Sequence, residues 1–317
     1  MAFATTSVAA VLTGLSGSDF LSSADITAEQ TAALLQLATQ LKRGERRIDL
    51  GNRVLGLIFT KASTRTRVSF QVAMARLGGQ TVDLNPQVTQ LGRGEPLEDT
   101  ARVLSRFCDA LAIRTFAQQE LADYAHWASI PVINALTDLE HPCQALADFL
   151  TMQEAFGDLQ GQTLAYVGDG NNVAHSLMLC GALLGVNVRI GCPEGFEPLP
   201  GVVDQARSLA VNGAQISVIT DPVEAVRGAQ ALYTDVWASM GREDEHEVRK
   251  AVFEPYQVNA GLVGRAAEDV IVMHCLPAHR EEEITEEVLE GPSSVVWDQS
   301  ENKLHMHKAI LEVLLTQ

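Results

Sequence analysis

The stretch KASTRTRVSF, residues 61–70, comes just after the apolar run RVLGLIF at residues 53–59. The apolar run predicts a buried strand. Val68 and Val72 lie one helical turn apart, so a helix is predicted to begin near Thr64. This order of strand, polar turn and helix is typical of an α/β sheet, in which ligands bind at the carboxyl ends of the strands.

The polar turn carries three hydroxyl side chains and two guanidinium groups: Ser63, Thr64, Arg65, Thr66 and Arg67. The first turn of a helix also offers unpaired backbone N–H groups and the positive end of the helix dipole. Together these donors predict a site for phosphate or carboxylate. A Thr-capped helix with solvated arginines is the alternative. A Walker loop is excluded because its glycine and lysine pattern is absent.

Strands and helices alternate along both halves of the chain. Further predicted strands are GGQTVDL, ALAIRT and PVINA in the first half, and TLAYVG, VNVRIG, AQISVIT, AQALYTD, VIVMHC and SVVWDQ in the second. The polar stretch GDLQGQ at residues 157–162 separates the two series. The alternation predicts an α/β fold of two doubly wound domains, with mostly parallel central sheets and a cleft between them.

The composition narrows the class of protein. The 317 residues have a formal net charge of −17, which argues against a nucleic-acid binder. The five cysteines are odd in number and include no C-x-x-C pair, as expected in a reducing cytoplasm. No apolar run is long enough to span a bilayer, and no Lys or Arg precedes Lys42, so we expect neither a membrane span nor a targeting peptide.

Three other features of the sequence favour structural interpretations. YVGDGNNV at residues 166–173 has the first two glycines of a dinucleotide fingerprint but Val173 in place of the third. His305 and His307 have poor spacing for a helical metal pair, and we expect them on solvated faces. The acidic run HREEEITEE at residues 279–287 predicts a solvated loop.

Four motifs occur in a fixed order along the chain. They are S-T-R-T-R at 63–67, H-P-C-Q at 141–144, D-V-W-A-S-M-G at 235–241 and H-C-L-P at 274–277. From about Leu15 to its end, the chain resembles the ornithine carbamoyltransferases of the aspartate/ornithine carbamoyltransferase family. The resemblance implies transfer of a carbamoyl group from carbamoyl phosphate to the δ-amine of ornithine, giving citrulline and phosphate in arginine metabolism, without metal or organic cofactor.

The same resemblance implies a division of labour between domains. Residues 1–150 would bind carbamoyl phosphate, with a C-terminal helix at 302–317 packing back on them. Residues 151–301 would bind ornithine. The family forms trimers with shared active sites, and a glutamine from a neighbouring subunit reaches carbamoyl phosphate; this residue corresponds to Gln90.

Carbamoyl phosphate contacts follow from the resemblance, and some also follow from position. The implied residues are Ser63, Thr64, Arg65, Thr66, Gln90, Arg114, His141, Gln144, Cys275, Leu276 and Lys303. Arg114 ends a predicted strand, as a ligand contact should. His141 and Gln144 share one helix face, although by sequence alone His141 is equally well a helix-start residue bonded to backbone.

The amine site follows in the same way. The resemblance implies that Asn172, Asp235, Ser239 and Met240 bind ornithine. Catalytic roles fall to Cys275, Arg114, Asp235 and His141. Without the resemblance, D-V-W-A-S-M-G is equally a core tryptophan beside a turn, and a lone buried cysteine is most often an inert apolar residue. A covalent intermediate is not required.

Two positions depart from the family pattern. Lys303 stands where arginine is expected to contact carbamoyl phosphate; it keeps the charge but lacks the planar fork. Glu281 stands where glycine is frequent, at a position where a positive φ would cost a non-glycine residue about 1 kcal/mol.

Rival functions remain open at this stage. The nearest is a carbamoyltransferase for putrescine, aspartate or N-acetylornithine, against which D-V-W-A-S-M-G and H-C-L-P favour ornithine. A nicotinamide-dependent oxidoreductase built on G-D-G-N-N is a second. A binding or regulatory protein that keeps the phosphate site without turnover is a third.

Overall fold

The structure, a computed structural model, describes residues 7–85, 94–238 and 246–316. The chain divides into two compact units. One contains the residues up to Ala147 together with those from Lys303 onward, and the other is Asp148–Asn302. None of the described helices combines the length and apolar character needed to cross a membrane.

The first unit is built on a four-stranded parallel sheet. Its strands are β1 (Val54–Phe59), β2 (Gln80–Leu84), β3 (Ala110–Arg114) and β4 (Val132–Leu136), in the order β2-β1-β3-β4. Its helices are α1 (Val8–Leu12), α2 (Ala28–Arg43), α3 (Thr64–Arg76), α4 (Leu97–Leu104), α5 (Gln118–Trp127) and the start of α6 (Pro142–Phe156).

The central strand β1 explains why this unit folds as it does. Residues 55–59 of VLGLIF are all buried, as expected of a parallel strand covered by helices on both faces. The chain leaves β1 toward β2 on one side and returns to β3 on the other. The order in which strands are added therefore reverses between β1 and β3. The carboxyl ends of these two strands border the crevice where such sheets bind ligands.

The second unit repeats this plan with five parallel strands. They are β5 (Thr163–Val167), β6 (Asn187–Gly191), β7 (Ile216–Ile219), β8 (Ala231–Thr234) and β9 (Ile271–His274), in the order β7-β6-β5-β8-β9. Its helices are α7 (Asn172–Leu184), α8 (Pro200–Leu209), α9 (Pro222–Val226), α10 (His246–Phe253), α11 (Ala260–Val263), α12 (Glu286–Leu289) and the start of α13 (Val296–Leu315). The predicted α/β fold with parallel sheets is confirmed.

The reversal in the second sheet lies between β5 and β8. The turn after β5 contains Gly170, whose N–H donates to the carbonyl of Phe196 at 2.8 Å. A Cβ at Gly170 would lie only 2.2 Å from the backbone nitrogen of Pro198. The glycine is therefore needed for close packing of two loops, which accounts for it without a dinucleotide.

Two expectations about the C-terminal region are wrong. The strand predicted over SVVWDQ is a single bridge between Val272 and Ser294, and α13 begins at Val296. Val296 is fully buried, so tertiary packing overrides the strand preference of two adjacent valines. His305 and His307 were expected on solvated faces but are both buried, because α13 is buried on almost every side from residue 302 to 315.

The loop that contains Glu281 has the expected strained backbone. Glu281 has φ of 67°, in the left-handed region. Its side-chain oxygen Oε1 accepts a hydrogen bond of 2.9 Å from the N–H of Glu286 at the start of α12. Strain and helix capping therefore act in opposite directions at this residue.

We predict that Glu281→Gly changes the free energy of unfolding by less than about 1 kcal/mol, because relief of the positive φ offsets the lost cap. Glu281→Ala should destabilise by about 1 kcal/mol, because it loses the cap and keeps the strain. Urea denaturation measures both, with Glu287→Ala in the same acidic run as the control. Equal effects of the glycine and alanine variants would contradict the account.

Candidate functional site

The predicted anion site lies at the carboxyl end of β1. Ser63 is the N-cap residue of α3 but makes no side-chain cap bond, and Thr66 in the first turn is buried. Arg65 is half-buried. Arg67, grouped with the anion donors from sequence, instead forms an ion pair of 2.5 Å with Asp83. The available guanidinium of this stretch is therefore Arg65.

The structure brings four predicted site residues of the first unit together. Arg114 ends β3 in register with Phe59 of β1. Arg114, His141, Gln144 and Lys303 are each no more than 6% exposed. The Nζ atom of Lys303 donates to Oε1 of Gln144 at 2.8 Å. Two cations, one imidazole and one amide thus line the same region, which suits recognition of an anion that carries a planar amide.

Burial, aided by the neighbouring cations, keeps the imidazole of His141 neutral. Burial lowers the pKa of His141 well below its usual value of 6.5, and Lys303, Arg114 and His307 lower it further. Burial also lowers the pKa of His307, with Lys303 as the second cause. At neutral pH His141 therefore offers one ring N–H donor and adds no positive charge.

In the second unit Asp235 follows β8 and is 7% exposed. Its Oδ1 accepts a hydrogen bond of 2.9 Å from Sγ of Cys275, and its Oδ2 accepts one of 2.9 Å from Nδ2 of Asn171. Asp235 and Cys275, both predicted as site residues, are thus in direct contact. In this arrangement Cys275 is a thiol that donates its proton to the carboxylate.

Asn171 was missed by the sequence analysis, which selected its neighbour Asn172. Asn171 is the N-cap of α7, and its Oδ1 accepts from the N–H groups of Val173 and Ala174. These bonds fix the orientation of its amide, so Nδ2 faces Asp235. Asn172 is the first residue of α7 and is half-buried.

Three predicted contacts are not located. Gln90, Ser239 and Met240 lie outside the described residues. Their roles stay predictions.

The loop after β9 is held by a buried pair. Nε2 of His274 lies 3.0 Å from Oε1 of Glu283, and both side chains are completely buried. Nδ1 of His274 accepts a bond of 2.8 Å from the N–H of Leu276, so the Nε2 atom carries the proton toward Glu283. Leu276 has φ of 58°, and this pair holds that strained turn beside Cys275.

Glu283 shows a limit of the sequence analysis. The acidic run 279–287 was predicted to be solvated, yet Glu283 is fully buried. The signal that could have found it is the apolar Ile284 next to it, since Ile284 is also fully buried. An acidic residue beside a core residue in an otherwise polar run indicates a possible buried partner for a nearby histidine.

A buried ion pair supports the turn after Asp235. Nη1 of Arg249 lies 2.8 Å from Oδ2 of Asp169 and donates to the carbonyl of Trp237 at 2.9 Å. Arg249 is 2% exposed, and its guanidinium lies 5.0 Å from the ring centroid of Phe196. Trp237 is 4% exposed, so the alternative interpretation of D-V-W as a core tryptophan also holds, and the Trp237 carbonyl is bound by Arg249.

Among the described residues, Asp235, His274 and Cys275 place possible metal-ligand atoms within 4.8 Å of one another. Both ring nitrogens of His274 already have partners, and the thiol of Cys275 donates to Asp235. In the observed orientations these side chains therefore make hydrogen bonds with protein groups instead of forming a set of metal ligands.

Comparison with protein families matches both units. Residues 18–154 match the carbamoyl-P binding domain of the aspartate/ornithine carbamoyltransferases, and residues 160–314 match their Asp/Orn binding domain. The chain belongs to the aspartate/ornithine carbamoyltransferase family. The resemblance carried by the four motifs is confirmed, and the chain is a carbamoyltransferase.

Relatives within the family are similar over almost their whole length. An ornithine carbamoyltransferase of Prochlorococcus marinus (strain MIT 9313) is 76% identical over 308 residues, which are 97% of this chain and 97% of the relative. An ornithine carbamoyltransferase of Parasynechococcus marenigrum (strain WH8102) is 74% identical over 315 residues, 99% of each chain.

Solved structures of the family have the same fold. The crystal structure of ornithine carbamoyltransferase from Gloeobacter violaceus is 56% identical, with a TM-score of 0.87 over 94% of this chain and 98% of that one. The enzyme from Pyrococcus furiosus is 49% identical, with a TM-score of 0.91 over 95% of this chain and 98% of that one.

The depressed pKa values of His141 and His307 predict that the fold of this family member is less stable in acid. Below pH 6.5 the unfolded chain takes up protons on these histidines, whereas the folded chain does not until the pH reaches their lowered pKa values. The contribution of these two neutral histidines to the free energy of unfolding is therefore fully present above pH 6.5 and is lost as the pH falls below it.

His307→Phe should reduce this slope by about 1.4 kcal/mol per pH unit, because it removes one such proton. Urea denaturation between about pH 7.5 and pH 5.5 measures the slope. Identical slopes for parent and variant would show that His307 has an ordinary pKa in the folded state.

Proposed function

We propose that the chain transfers the carbamoyl group of carbamoyl phosphate to the δ-amine of L-ornithine, giving L-citrulline and phosphate. The observation that carries this proposal is the 76% identity, over nearly the whole chain, to a relative named ornithine carbamoyltransferase. The hydrogen-bonded pair of Asp235 and Cys275 supports it, since it joins the motif that the family resemblance assigns to ornithine with the motif that it assigns to the carbamoyl group.

The first unit supplies the carbamoyl phosphate site in this proposal. Ser63, Thr64, Arg65 and Thr66 bind the phosphate through hydroxyl and N–H donors at the N-terminus of α3. Arg114 and Lys303 add positive charge, and Lys303 also fixes the amide of Gln144. These four donors, two cations and one amide hold the leaving group and its carbonyl in place before the amine attacks.

The second unit supplies the amine site. We assign the α-ammonium group of ornithine to Asp235, with Asn172, Ser239 and Met240 beside it. Cys275 and the backbone carbonyl of Leu276 face the carbamoyl group. The His274–Glu283 pair positions the Leu276 carbonyl, because it fixes the turn in which this carbonyl lies.

The reaction proceeds by attack of the neutral δ-amine on the carbonyl carbon. A C–N bond forms and the bond between that carbon and the phosphate oxygen breaks, so phosphate leaves with the electron pair. Arg114 and the N–H of neutral His141 stabilise the oxyanion that develops on the carbonyl. The amine loses its extra proton as the C–N bond forms, and the product phosphate or solvent accepts it.

The amine must be unprotonated before it can attack. Its intrinsic pKa resembles that of lysine, about 10.4. We infer that Asp235 and Cys275 help the site to take up or produce the neutral form. The hydrogen bond from the thiol of Cys275 to the carboxylate of Asp235 links the two groups, so the shared proton can move when the substrate binds.

Assembly and compartment are part of the proposal. We propose a homotrimer in which Gln90 of one subunit reaches the carbamoyl phosphate of its neighbour, as the family resemblance implies. We also place the enzyme in the cytoplasm, in keeping with its cysteine spacing. A mass in solution that differs from three chains, or a multiple of three, would contradict the trimer.

We predict that citrulline forms from carbamoyl phosphate and ornithine with a higher kcat/KM than any product from putrescine, aspartate or N-acetylornithine. The reason is that ornithine alone combines the δ-amine with an α-ammonium for Asp235. A colorimetric ureido assay measures all four amines, with Arg65→Ala as the low-activity control. Faster turnover of another amine would reassign the substrate, and absence of turnover with all four would favour a binding protein.

We further predict that Asp235→Asn lowers kcat/KM for ornithine by about 100-fold or more and displaces its pH profile. Cys275→Ser should lose less, since a serine hydroxyl can still donate to Asp235. Initial rates of citrulline formation from about pH 6 to pH 10 give both profiles. Profiles that superimpose on that of the parent for both variants would remove these residues from amine activation.

A further inference from the structure

His307 lies in the interior of the first unit and has no part in the mechanism above. It is 0% exposed, and its ring stacks on Phe70 with centroids 3.6 Å apart and planes at 10°. Its Nδ1 atom lies 2.8 Å from Oγ of Ser69. His307 of α13 is thus attached to two consecutive residues of α3.

The Ser69 hydroxyl lies within hydrogen-bond distance of the Thr66 carbonyl oxygen, at 3.1 Å, and of Nδ1 of His307, at 2.8 Å. We assign the ring proton of His307 to Nδ1, because the one proton of the Ser69 hydroxyl then serves the carbonyl while its oxygen accepts from Nδ1–H. The Nε2 atom is left with a lone pair and has no hydrogen-bond partner among the described residues.

This arrangement costs stability relative to an apolar residue. A phenylalanine at position 307 would keep the stack on Phe70 and would leave no unpaired nitrogen in the core. Burial and the nearby Lys303 also hold His307 in its neutral form. Packing alone does not explain a histidine here, so its bond to Ser69 is the feature that needs a function.

The chain of hydrogen bonds leads from His307 to the phosphate donors. It passes through Ser69 to the carbonyl of Thr66, which belongs to the S-T-R-T-R stretch. Lys303 lies one turn before His307 on the same helix and donates to Gln144. Helix α13 is therefore bonded both to the helix that carries the anion donors and to the residue assigned to the carbamoyl group.

We propose that His307 is a positioning residue that fixes the first turn of α3 relative to Lys303, so that both meet the same carbamoyl phosphate. It does not touch the substrate. This inference rests on the proposed function, since it assigns His307 a role at the same site. The rival interpretation is a core histidine that contributes to folding alone.

Four variants separate the bond from the stack. His307→Phe keeps the stack and loses the bond, and His307→Asn loses the stack but can still donate to Ser69 from the place of Nδ1. Ser69→Ala removes the acceptor, and the double variant Ser69→Ala/His307→Phe removes both polar partners without leaving one unpaired. Ile310→Val, a buried change in α13 with no polar link to α3, is the matched control.

We expect KM for carbamoyl phosphate to rise about fivefold to tenfold in His307→Phe and in Ser69→Ala, the effect of one buried hydrogen bond, with kcat changed less than about twofold. The double variant should be no worse than either single one. His307→Asn should stay within about twofold of the parent KM although its melting temperature falls.

The double variant is decisive, because it should be as stable as the parent while its KM remains raised. A parental KM in His307→Phe and Ser69→Ala would overturn the proposal. So would a rise in KM that follows the loss of melting temperature across all variants, Ile310→Val included. Should His307→Phe fail to fold, Ser69→Ala and His307→Asn give the same comparison.

Titration calorimetry with inorganic phosphate repeats the comparison without turnover. We expect His307→Phe and Ser69→Ala to bind phosphate more weakly than the parent, and Ile310→Val to bind it with the parental affinity. This readout separates the two proposals: a parent protein that binds phosphate but forms no citrulline contradicts the proposed function and leaves the test of His307 intact. Equal phosphate affinity in all variants contradicts the role of His307 whether or not citrulline forms.

Discussion

Burial of positive charge is the constraint on which the first unit depends. Arg114 and Lys303 are 6% and 4% exposed, and water no longer solvates their charges fully. Their fields reach His141 and help to keep its ring neutral. In the proposed function, both cations contribute to binding a phosphate dianion at this place. The topology brings these residues together, because β1 and β3 are neighbours and end side by side where the strand order reverses.

The second unit holds a buried carboxylate, Asp235, which the proposed function assigns to a cationic group of the substrate. Asp235 accepts from Asn171 and Cys275, and these neutral donors stabilise its charge without cancelling it. The neighbouring polar groups are paired among themselves: Arg249 forms an ion pair with Asp169, and His274 is hydrogen-bonded to Glu283. The loops that carry Asp235, Asp169 and Cys275 are thus tied together by hydrogen bonds and an ion pair.

Much of this could be predicted from sequence, and the reasons are physical. The alternation of apolar runs with segments of helical spacing predicts the two sheets. The ends of the predicted strands then indicate where Ser63, Arg114, Asp235 and Cys275 lie. Polar side chains at those ends can be recognised from the sequence, because the end of each apolar run marks the end of a strand. The roles of these residues came from the family resemblance, since spacing alone left His141 and Cys275 open to structural interpretations.

What the sequence did not reveal are partners that only the folded chain brings together. Glu283 looked solvated within its acidic run, and its histidine lies nine residues earlier on the end of another element. His307 was expected to be solvated because it is polar. Helix α13 is buried on almost all sides, so its polar residues do not mark a solvent-facing stripe. Arg67 looked like an anion donor until β2 placed Asp83 beside it.

The capping role of Asn171 narrows what evolution can place there. One end of its side chain must accept two backbone N–H groups, and the other must donate to a carboxylate. Aspartate and serine begin helices well, but an aspartate would set a second negative charge against Asp235 and a serine is too short to span both tasks. Glutamine has both atom types but is one methylene longer. Hydrolysis of this one amide as the protein ages would therefore replace a supporting donor with a negative charge that repels the carboxylate of Asp235.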